Sequence, residues 1–202
     1  MNMIKFLETT VITFLLSLVL LSSAIAQNAN DEIRGMLEER DEQIKELLGA
    51  EGTEYTDAQR AELKEIINGV IDFEAMAREA LDDTFDTISE EERNEFVELF
   101  STIVRDQSLN KLDIYRAKVT YTSIESNDGD ARIETLAELD NVRTPVNYEM
   151  ELENGEWVIT DMEIDDVSTA GSYNRQFQRI INQKGFDSLM SSLRKRAERA
   201  NG

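Results

Sequence analysis

The spacing of apolar residues changes twice along this chain, and those changes constrain its fold more than any other feature. From about residue 31 to residue 104, apolar side chains recur at intervals of three and four residues, as on one face of an α-helix. From 118 to 164 they alternate with polar residues, as on a half-buried strand. After Tyr173 the helical spacing returns. The sequence therefore predicts an α+β fold, with helices before and after a strand region.

Capping boxes mark two of the helix starts. Thr56 is followed three residues later by Gln59, and Ser89 by Glu92, so each pair can satisfy backbone N–H groups at a helix start. We expect Ile71-Asp72-Phe73 to be a junction between helices. The helix after Ser89 is predicted to be long, with an inward face spaced i, i+3, i+4, i+7 and i+8, formed by Phe96, Leu99, Phe100, Ile103 and Val104.

Turn residues divide the strand region into four strands. Asn127 to Asp130 and Asn154-Gly155 are typical of tight turns, and short connections make neighbouring strands antiparallel. In the first strand, Val119, Tyr121 and Ser123 are expected on one face. We predict a four-stranded antiparallel sheet, packed against N-terminal and C-terminal helices.

The first 26 residues have the pattern of a secretory signal peptide. A single cation, Lys5, precedes the apolar run 11–21, and small residues end in Ala24-Ile25-Ala26. The alternative is a membrane anchor, but the apolar run is shorter than the roughly 20 residues that a spanning helix needs. The sequence predicts a cleaved signal at 1–26, a single domain at 27–202 and export to the periplasm.

The composition excludes several kinds of chemistry. The chain contains no cysteine and no histidine, so Ser-His or Cys-His nucleophiles, disulfides and ordinary zinc sites are ruled out. A net charge of -21 makes nucleic acid an unsuitable partner. Carboxylate clusters such as Glu90-Glu91-Glu92 could form a two-carboxylate hydrolase, but acids at helix starts are usually solvated. We therefore expect no enzyme, metal site or cofactor. Asp161, in the fourth strand, could be a buried pairing group or an exposed one.

The positive charge is concentrated near the C-terminus. Residues 172–202 hold seven cations and two acids within a strongly acidic chain. Such asymmetry can mark a docking surface, while cations near a helix C-terminus also favour the helix dipole. Both interpretations apply to Arg194, Lys195 and Arg196, which we take as candidates for docking or for contact with a lipid headgroup.

The apolar residues could close into an ordinary core or surround a cavity, and their spacing does not distinguish the two. If a cavity lies between sheet and helices, two sets of side chains are candidates for its lining. The sheet set is Val119, Tyr121, Ile133, Val146, Tyr148, Met150 and Leu152; the helix set is Met76, Leu81, Phe96, Phe100, Ile103, Phe177 and Ile181.

Two long stretches, residues 66–115 and 155–196, resemble the toluene-tolerance family, the MlaC proteins of the Mla lipid-transport pathway. The order and spacing of short pieces carry the resemblance, which covers nearly all of the chain from about Glu32. These pieces are Asp72-Phe73 with Met76-Ala77, the helix Ser89…Phe96…Leu99-Phe100, the strand Trp157…Asp161, and Val167-Ser168…Tyr173…Gln176-Phe177…Gly185-Phe186.

The resemblance implies a sheet related to the nuclear-transport-factor-2 type and an apolar cavity that holds a glycerophospholipid. The implied role is that of a periplasmic phospholipid carrier that maintains outer-membrane lipid asymmetry. Its implied partners are an outer-membrane lipoprotein–porin complex and an inner-membrane ABC transporter, with phospholipid as cargo and no cofactor. The alternative is a periplasmic chaperone or adaptor without lipid.

Overall fold

A computed structural model describes residues 27–110 and 112–200 of the 202-residue chain. The predicted signal peptide lies outside the described residues. Within them, helices precede and follow an antiparallel sheet, which confirms the α+β class. The helices are α1 (27–48), α2 (Asp57–Asn68), α3 (Phe73–Leu81), α4 (Asp83–Thr87), α5 (Glu90–Leu109), α6 (Thr169–Lys184) and α7 (Phe186–Ala200), with a 3₁₀ turn at Leu112–Arg116.

Both predicted capping boxes are present at helix starts. The Thr56 and Ser89 hydroxyls each accept a hydrogen bond, at 3.3 Å, from the backbone N–H three residues on. The Asp72 carboxylate caps α3 by accepting from two N–H groups, at 2.8 and 3.0 Å. Gly185 ends α6 with φ +83°, a left-handed conformation that glycine adopts at little cost. The short helix α4 escaped prediction because five residues show no period.

The sheet is an antiparallel meander in the order β1-β2-β3-β4-β5. The prediction of four strands is wrong by one strand. The fifth strand pairs only two residues with the end of β4, and a segment that short has no detectable alternation. The strands are β1 (Lys118–Asn127), β2 (Asp130–Leu139), β3 (Val142–Glu153), β4 (Glu156–Ile164) and β5 (Val167–Ser168).

Two register shifts change which side chains share a face. In β1 the pairing shifts between Tyr121 and Ser123, so Ile124 pairs with the buried Ile133. The expectation that Ser123 continues the face of Val119 and Tyr121 is therefore wrong, because a bulge inserts one extra residue. A second shift, where β3 meets β4, falls between Glu149 and Met150.

Buried apolar residues form three clusters. The helical cluster joins α3 to α7 and contains Met76, Ala77, Ala80, Leu81, Phe85, Phe96, Phe100, Ile103, Ala170, Tyr173, Phe177, Leu189, Met190, Leu193 and Ala197. The sheet cluster joins α1 to the sheet and contains Ile33, Val70, Ala131, Ile133, Met150, Trp157 and Ile159. The α1–α2 cluster contains Ile44, Leu48, Leu63 and Leu112.

The segment between α2 and α3 connects the sheet cluster to the helical cluster. It runs beside β4, where the Ile159 N–H donates to the Val70 carbonyl at 2.8 Å and the Asp72 N–H donates to the Ile159 carbonyl at 2.9 Å. The Ile71 side chain, between these two bonds, packs against both clusters. Among the described helices, none has the length and hydropathy to cross a membrane.

Candidate functional site

One face of the sheet, which we call the inner face, is largely apolar, although Thr135 and Thr144 also lie on it. Strand register places Ala131, Met150 and Ile159 side by side on it, and Ile133, Tyr148 and Met162 in the next row. Helix α1 covers this part of the face, with its Ile33 side chain fully buried against the sheet. Because alternate residues point to opposite sides, the other face carries charged groups such as Arg132, Glu149 and Glu163, which form ion pairs.

Burial is highest in the middle rows of the inner face and decreases toward its ends, where Leu152 at one end is 45% exposed. Ala131, Ile133, Met150 and Ile159 are buried, whereas the row of Val146, Ile164 and Val167 is not. Ile164 is 41% exposed, Val167 is 50% exposed, and Val142, further along the same face, is 63% exposed. We call this region the open end. Large apolar side chains left together in contact with water are a common sign of a binding surface.

Tyrosines bring hydroxyl groups to this apolar region. Tyr121 and Tyr148 lie on the inner face, and Tyr115, in the 3₁₀ turn, packs against the neighbouring α1–α2 cluster. Burial raises the pKa of Tyr148 to about 12, with smaller contributions from Tyr115 and Asp41. Burial likewise raises the pKa of Tyr115 to about 12, and the pKa of Tyr121 is also raised. All three phenols are therefore neutral at physiological pH and can donate or accept hydrogen bonds without placing a charge among apolar groups.

A cation also lies at the inner face. The Arg34 guanidinium, on α1, stacks over the Tyr121 ring at 4.8 Å from the ring centroid. The same arginine pairs with Glu38 one turn on, at 3.7 Å. Helix α1 therefore contacts the sheet through apolar side chains and through one cation–π contact at the margin.

The helical cluster is packed by its own aromatic rings. Phe100 contacts Tyr173 and Phe177 edge to face, with ring centroids 5.0 and 6.1 Å apart, and Phe96 stacks on Phe100 at 5.7 Å. These distances are typical of favourable aromatic pairs. The Tyr173 hydroxyl donates to the Gln107 side chain at 2.9 Å, so its polar atom is satisfied.

The two predicted lining sets are separate in the structure. The helix set lies in or against the helical cluster, whereas in the sheet set Ile133, Met150, Tyr121 and Tyr148 belong to the sheet cluster or pack against it. Val119 and Val146 are half-buried on the inner face, and Leu152, at the opposite end from Val146, is 45% exposed. Residue spacing identified both apolar surfaces but not their separation, which is set by the path of Val70 to Asp72 along β4.

Asp161 connects the sheet to helix α6. Its side chain is 5% exposed, and it accepts hydrogen bonds from the Ser168 hydroxyl and, at 2.9 Å, from the Ala170 N–H. Ser168 in turn caps α6 by accepting from the Gly171 N–H at 2.8 Å. Of the two roles left open by the sequence, the buried pairing role is confirmed. A carboxylate at a helix N-terminus also interacts favourably with the helix dipole.

The predicted docking residues differ in their surroundings. Arg194 is held by Glu95 on α5 through two hydrogen bonds of 2.6 and 2.8 Å. Arg196 is half-buried and lies beside the Tyr173 hydroxyl, where it lowers the pKa that burial otherwise raises. Lys195 is exposed. The three neighbours in sequence therefore do not form one free cationic surface.

Two clefts that the sequence did not reveal open beside α3. Their volumes are about 430 and 550 Å³, and both are lined by Arg78 and Glu79. Most other lining groups are acidic; they include Asp82, Asp83 and Asp86 in the first cleft, and Asp72, Glu74, Glu151 and Glu153 in the second. Such walls do not suit acyl chains. In the described ranges, no group of three or more potential ligands is arranged to hold a metal ion.

A family model described as MlaC protein matches residues 27–195, which is most of the chain. The chain belongs to the MlaC family. Among solved structures it is similar to the phospholipid-binding protein from Ralstonia solanacearum, determined in complex with a phospholipid. That similarity has a TM-score of 0.70 at 16% identity and covers 86% of this chain and 99% of the other. Among curated proteins, none matches this chain.

In this MlaC-family protein, several residues that carry the sequence resemblance have structural roles. Asp72 and Ser89 cap helices, Asp161 connects β4 to α6, and Gly185 ends α6. These residues fix where elements begin and end, which explains why their spacing identifies the fold. The inner face is built instead from apolar side chains that many residue types could provide.

Proposed function

We propose that this protein is a soluble periplasmic carrier that holds a glycerophospholipid with its acyl chains on the inner face of the sheet. The observation that supports the proposal is the graded burial of that face in a member of the MlaC family. In this proposal, the chains enter at the open end and run toward Ile133 and Met150, between the sheet and α1. Val119, Tyr121, Val146 and Tyr148 are the first side chains that they contact.

The energetics of transfer favour such a surface. Burial of a methylene is worth about 0.8 kcal/mol, so two chains with about 15 buried methylenes each gain roughly 24 kcal/mol over water. A bare lipid therefore crosses an aqueous space too slowly to be useful. A carrier needs only an apolar surface about as favourable as the bilayer, without a nucleophile, metal or cofactor.

Helix α1 is the proposed cover of the chains. Ile33 is fully buried between α1 and the sheet, so chains that extend past the open end must displace it or part α1 from the strands. The gain from lipid burial offsets the loss of these contacts. The neutral tyrosine hydroxyls are suited to hydrogen bonding with the ester carbonyls that link the chains to glycerol.

The cargo would travel between an outer-membrane lipoprotein–porin complex and an inner-membrane ABC transporter, the partners implied by the family resemblance. In this role the protein serves as an auxiliary component of the ABC transporter and helps to maintain the lipid asymmetry of the outer membrane.

Mass spectrometry of an organic extract of the purified protein tests this function. We expect close to one phospholipid per protein, and a higher melting temperature for the loaded than for the delipidated protein, because a ligand that binds only the folded state stabilises it. The matched control is the delipidated protein reloaded with the same phospholipid, which should regain the higher melting temperature. An extract without stoichiometric lipid, together with identical melting before and after delipidation, would favour an adaptor that carries no lipid.

A further inference from the structure

The two ends of helix α1 are held to the rest of the molecule in different ways. At the C-terminal end, the Arg116 guanidinium donates hydrogen bonds to the Leu48 and Gly49 carbonyls, at 3.2 and 2.6 Å. It also donates to the Ala50 carbonyl at 3.2 Å, and the Tyr55 hydroxyl donates to the Leu48 carbonyl at 3.0 Å. These bonds satisfy carbonyl groups that the end of a helix leaves without partners.

The middle of α1 is held in the same way. The Arg40 guanidinium donates to the Ile66 carbonyl on α2 at 3.0 Å. Ile44 and Leu48 are buried in the α1–α2 cluster. We call residues 40–48 the anchored half of α1, because directed hydrogen bonds and buried side chains both fix it in place.

Residues 27–34, which we call the flap, lack such bonds. Within the described chain, no hydrogen bond or ion pair joins the flap to another element, and those that its side chains make stay within α1. The flap contacts the sheet cluster through Ala29 and Ile33, and Arg34 stacks over the Tyr121 ring. The flap can therefore leave the sheet without breaking a hydrogen bond to it.

A glycine directly follows the flap. Gly35 is exposed, and a Cβ added there would have no atom within 4 Å, so close packing does not require glycine at this position. Glycine inside a helix is unfavourable, because it loses more conformational freedom than other residues when it becomes ordered. Gly35 therefore weakens α1 between the flap and the anchored half, and hinges are often residues that absorb such a change in backbone angles.

The flap also buries a polar atom that has no partner. Asn30 Oδ1 is buried and accepts no hydrogen bond. A buried polar group without a partner destabilises the state that buries it, and contact with water removes that penalty. The closed position is thus stabilised by Ile33, which is fully buried, and opposed by Asn30.

From these observations we propose that the flap is a lid over the inner face, hinged at Gly35, that opens to pass acyl chains. The proposal rests on the carrier function above and adds the moving segment and its hinge. A minor open population of the lipid-free protein admits the chains, and lipid binding shifts the balance between open and closed states. Arg116 keeps the anchored half in place, so the flap returns to the same position.

The first test strengthens the helix at the hinge. Gly35→Ala fits the free space and favours an unbroken helix, so it should slow lipid exchange by about two- to fivefold. The assay follows a fluorescent phosphatidylethanolamine that moves from the loaded protein to vesicles of phosphatidylethanolamine and phosphatidylglycerol. The matched control is Ser192→Ala, at an exposed position of α7. Both changes should raise the unfolding midpoint, but only Gly35→Ala should slow exchange.

The second test has the opposite sign. Ile33→Ala removes the side chain that holds the flap closed, so it should speed lipid exchange about tenfold or more. The matched control is Ile44→Ala, the same substitution at a buried position of the anchored half. Both variants should be less stable, but Ile44→Ala should exchange lipid at the rate of the unmodified protein. Equal acceleration in both would assign the effect to lower overall stability and would overturn the proposal.

Amide hydrogen exchange of the delipidated protein, followed by mass spectrometry, detects the opening directly. Amides of residues 31–37 should exchange about tenfold or more faster than those of residues 41–47, and Gly35→Ala should slow them. Equal amide exchange in the two stretches would contradict the lid, as would a Gly35→Ala variant that exchanges lipid at the unmodified rate. Because this measurement needs no bound lipid, a failure of the carrier function shows in the organic extract and not here.

Discussion

The helical cluster and the inner face of the sheet are both apolar, but only the helical cluster is closed by its own side chains. Its Phe96, Phe100 and Phe177 are buried and in mutual contact. On the inner face, burial falls from Ile133, which is fully buried, to the exposed Ile164 and Val167. Hydrophobic composition alone therefore does not distinguish the closed core from the face that we propose holds lipid, whereas the change in burial along that face does.

The largest expected effect comes from the helical cluster. Phe100→Ala should lower the free energy of unfolding by about 3–5 kcal/mol, because it removes a buried ring that contacts three other aromatic side chains. Urea unfolding measures the change. The fraction that remains folded should still carry phospholipid. Loss of lipid with the fold intact would mean that acyl chains occupy the helical cluster. The distinction between a closed helical cluster and a lipid-holding inner face would then be wrong.

The next largest effect on stability is expected at Asp161, which connects the sheet to α6. Asp161→Asn should destabilise the protein by about 1–3 kcal/mol, because a buried carboxylate that accepts from Ser168 and Ala170 is replaced by a neutral amide. The control is Asp165→Asn, at an exposed turn residue with φ +53°, a conformation that asparagine tolerates. Urea unfolding of the control should stay within about 0.5 kcal/mol of the unmodified protein. Equal effects of both changes would show that Asp161 does not connect β4 to α6 energetically.

A third test compares the two ends of the inner face. Val146→Asn at the open end should greatly reduce co-purified lipid, while Leu152→Asn at the other end should leave it unchanged. Both positions are partly or largely exposed, so each change should alter the free energy of unfolding by about 1 kcal/mol or less. Phospholipid per protein, measured by mass spectrometry, reports the result. Loss of lipid in Leu152→Asn but not in Val146→Asn would place the entry of the acyl chains beside Leu152 and Trp157.

The sequence predicted those features that local rules determine. Thr56 and Ser89 mark helix starts through hydrogen bonds within a few residues, and the alternation in β3 needs only one strand. Features that depend on distant contacts were missed. The bulge in β1 hides which of Ser123 and Ile124 faces inward, and β5 exists only through its pairing with β4. The division of the apolar lining into two clusters follows from the position of Ile71 beside Ile159, which no local pattern encodes.

The smallest expected effect concerns like charges between α3 and the face of the sheet opposite the inner face. Glu79, on α3, lies near the sheet acids Asp161 and Glu149. Partial burial, and to a lesser extent these two negative charges, raises the pKa of Glu79 above its ordinary value. The folded protein therefore holds this proton more tightly than the unfolded chain. The resulting stability is present below the unfolded pKa and is lost as the pH rises through the folded pKa.

Glu79→Gln removes this repulsion at neutral pH. It should raise the free energy of unfolding at pH 7 by a small amount, about 0.5 kcal/mol or less since the side chain is largely exposed, and should leave it unchanged at pH 4. Thermal unfolding of Glu79→Gln at pH 7 and at pH 4 measures both changes in stability. The control is Glu62→Gln, at an exposed acid on α2. A gain in Glu79→Gln that is equal at both pH values would come from the amide itself. A gain only at neutral pH would show that electrostatic repulsion between Glu79 and the sheet acids opposes the packing of α3 on the sheet.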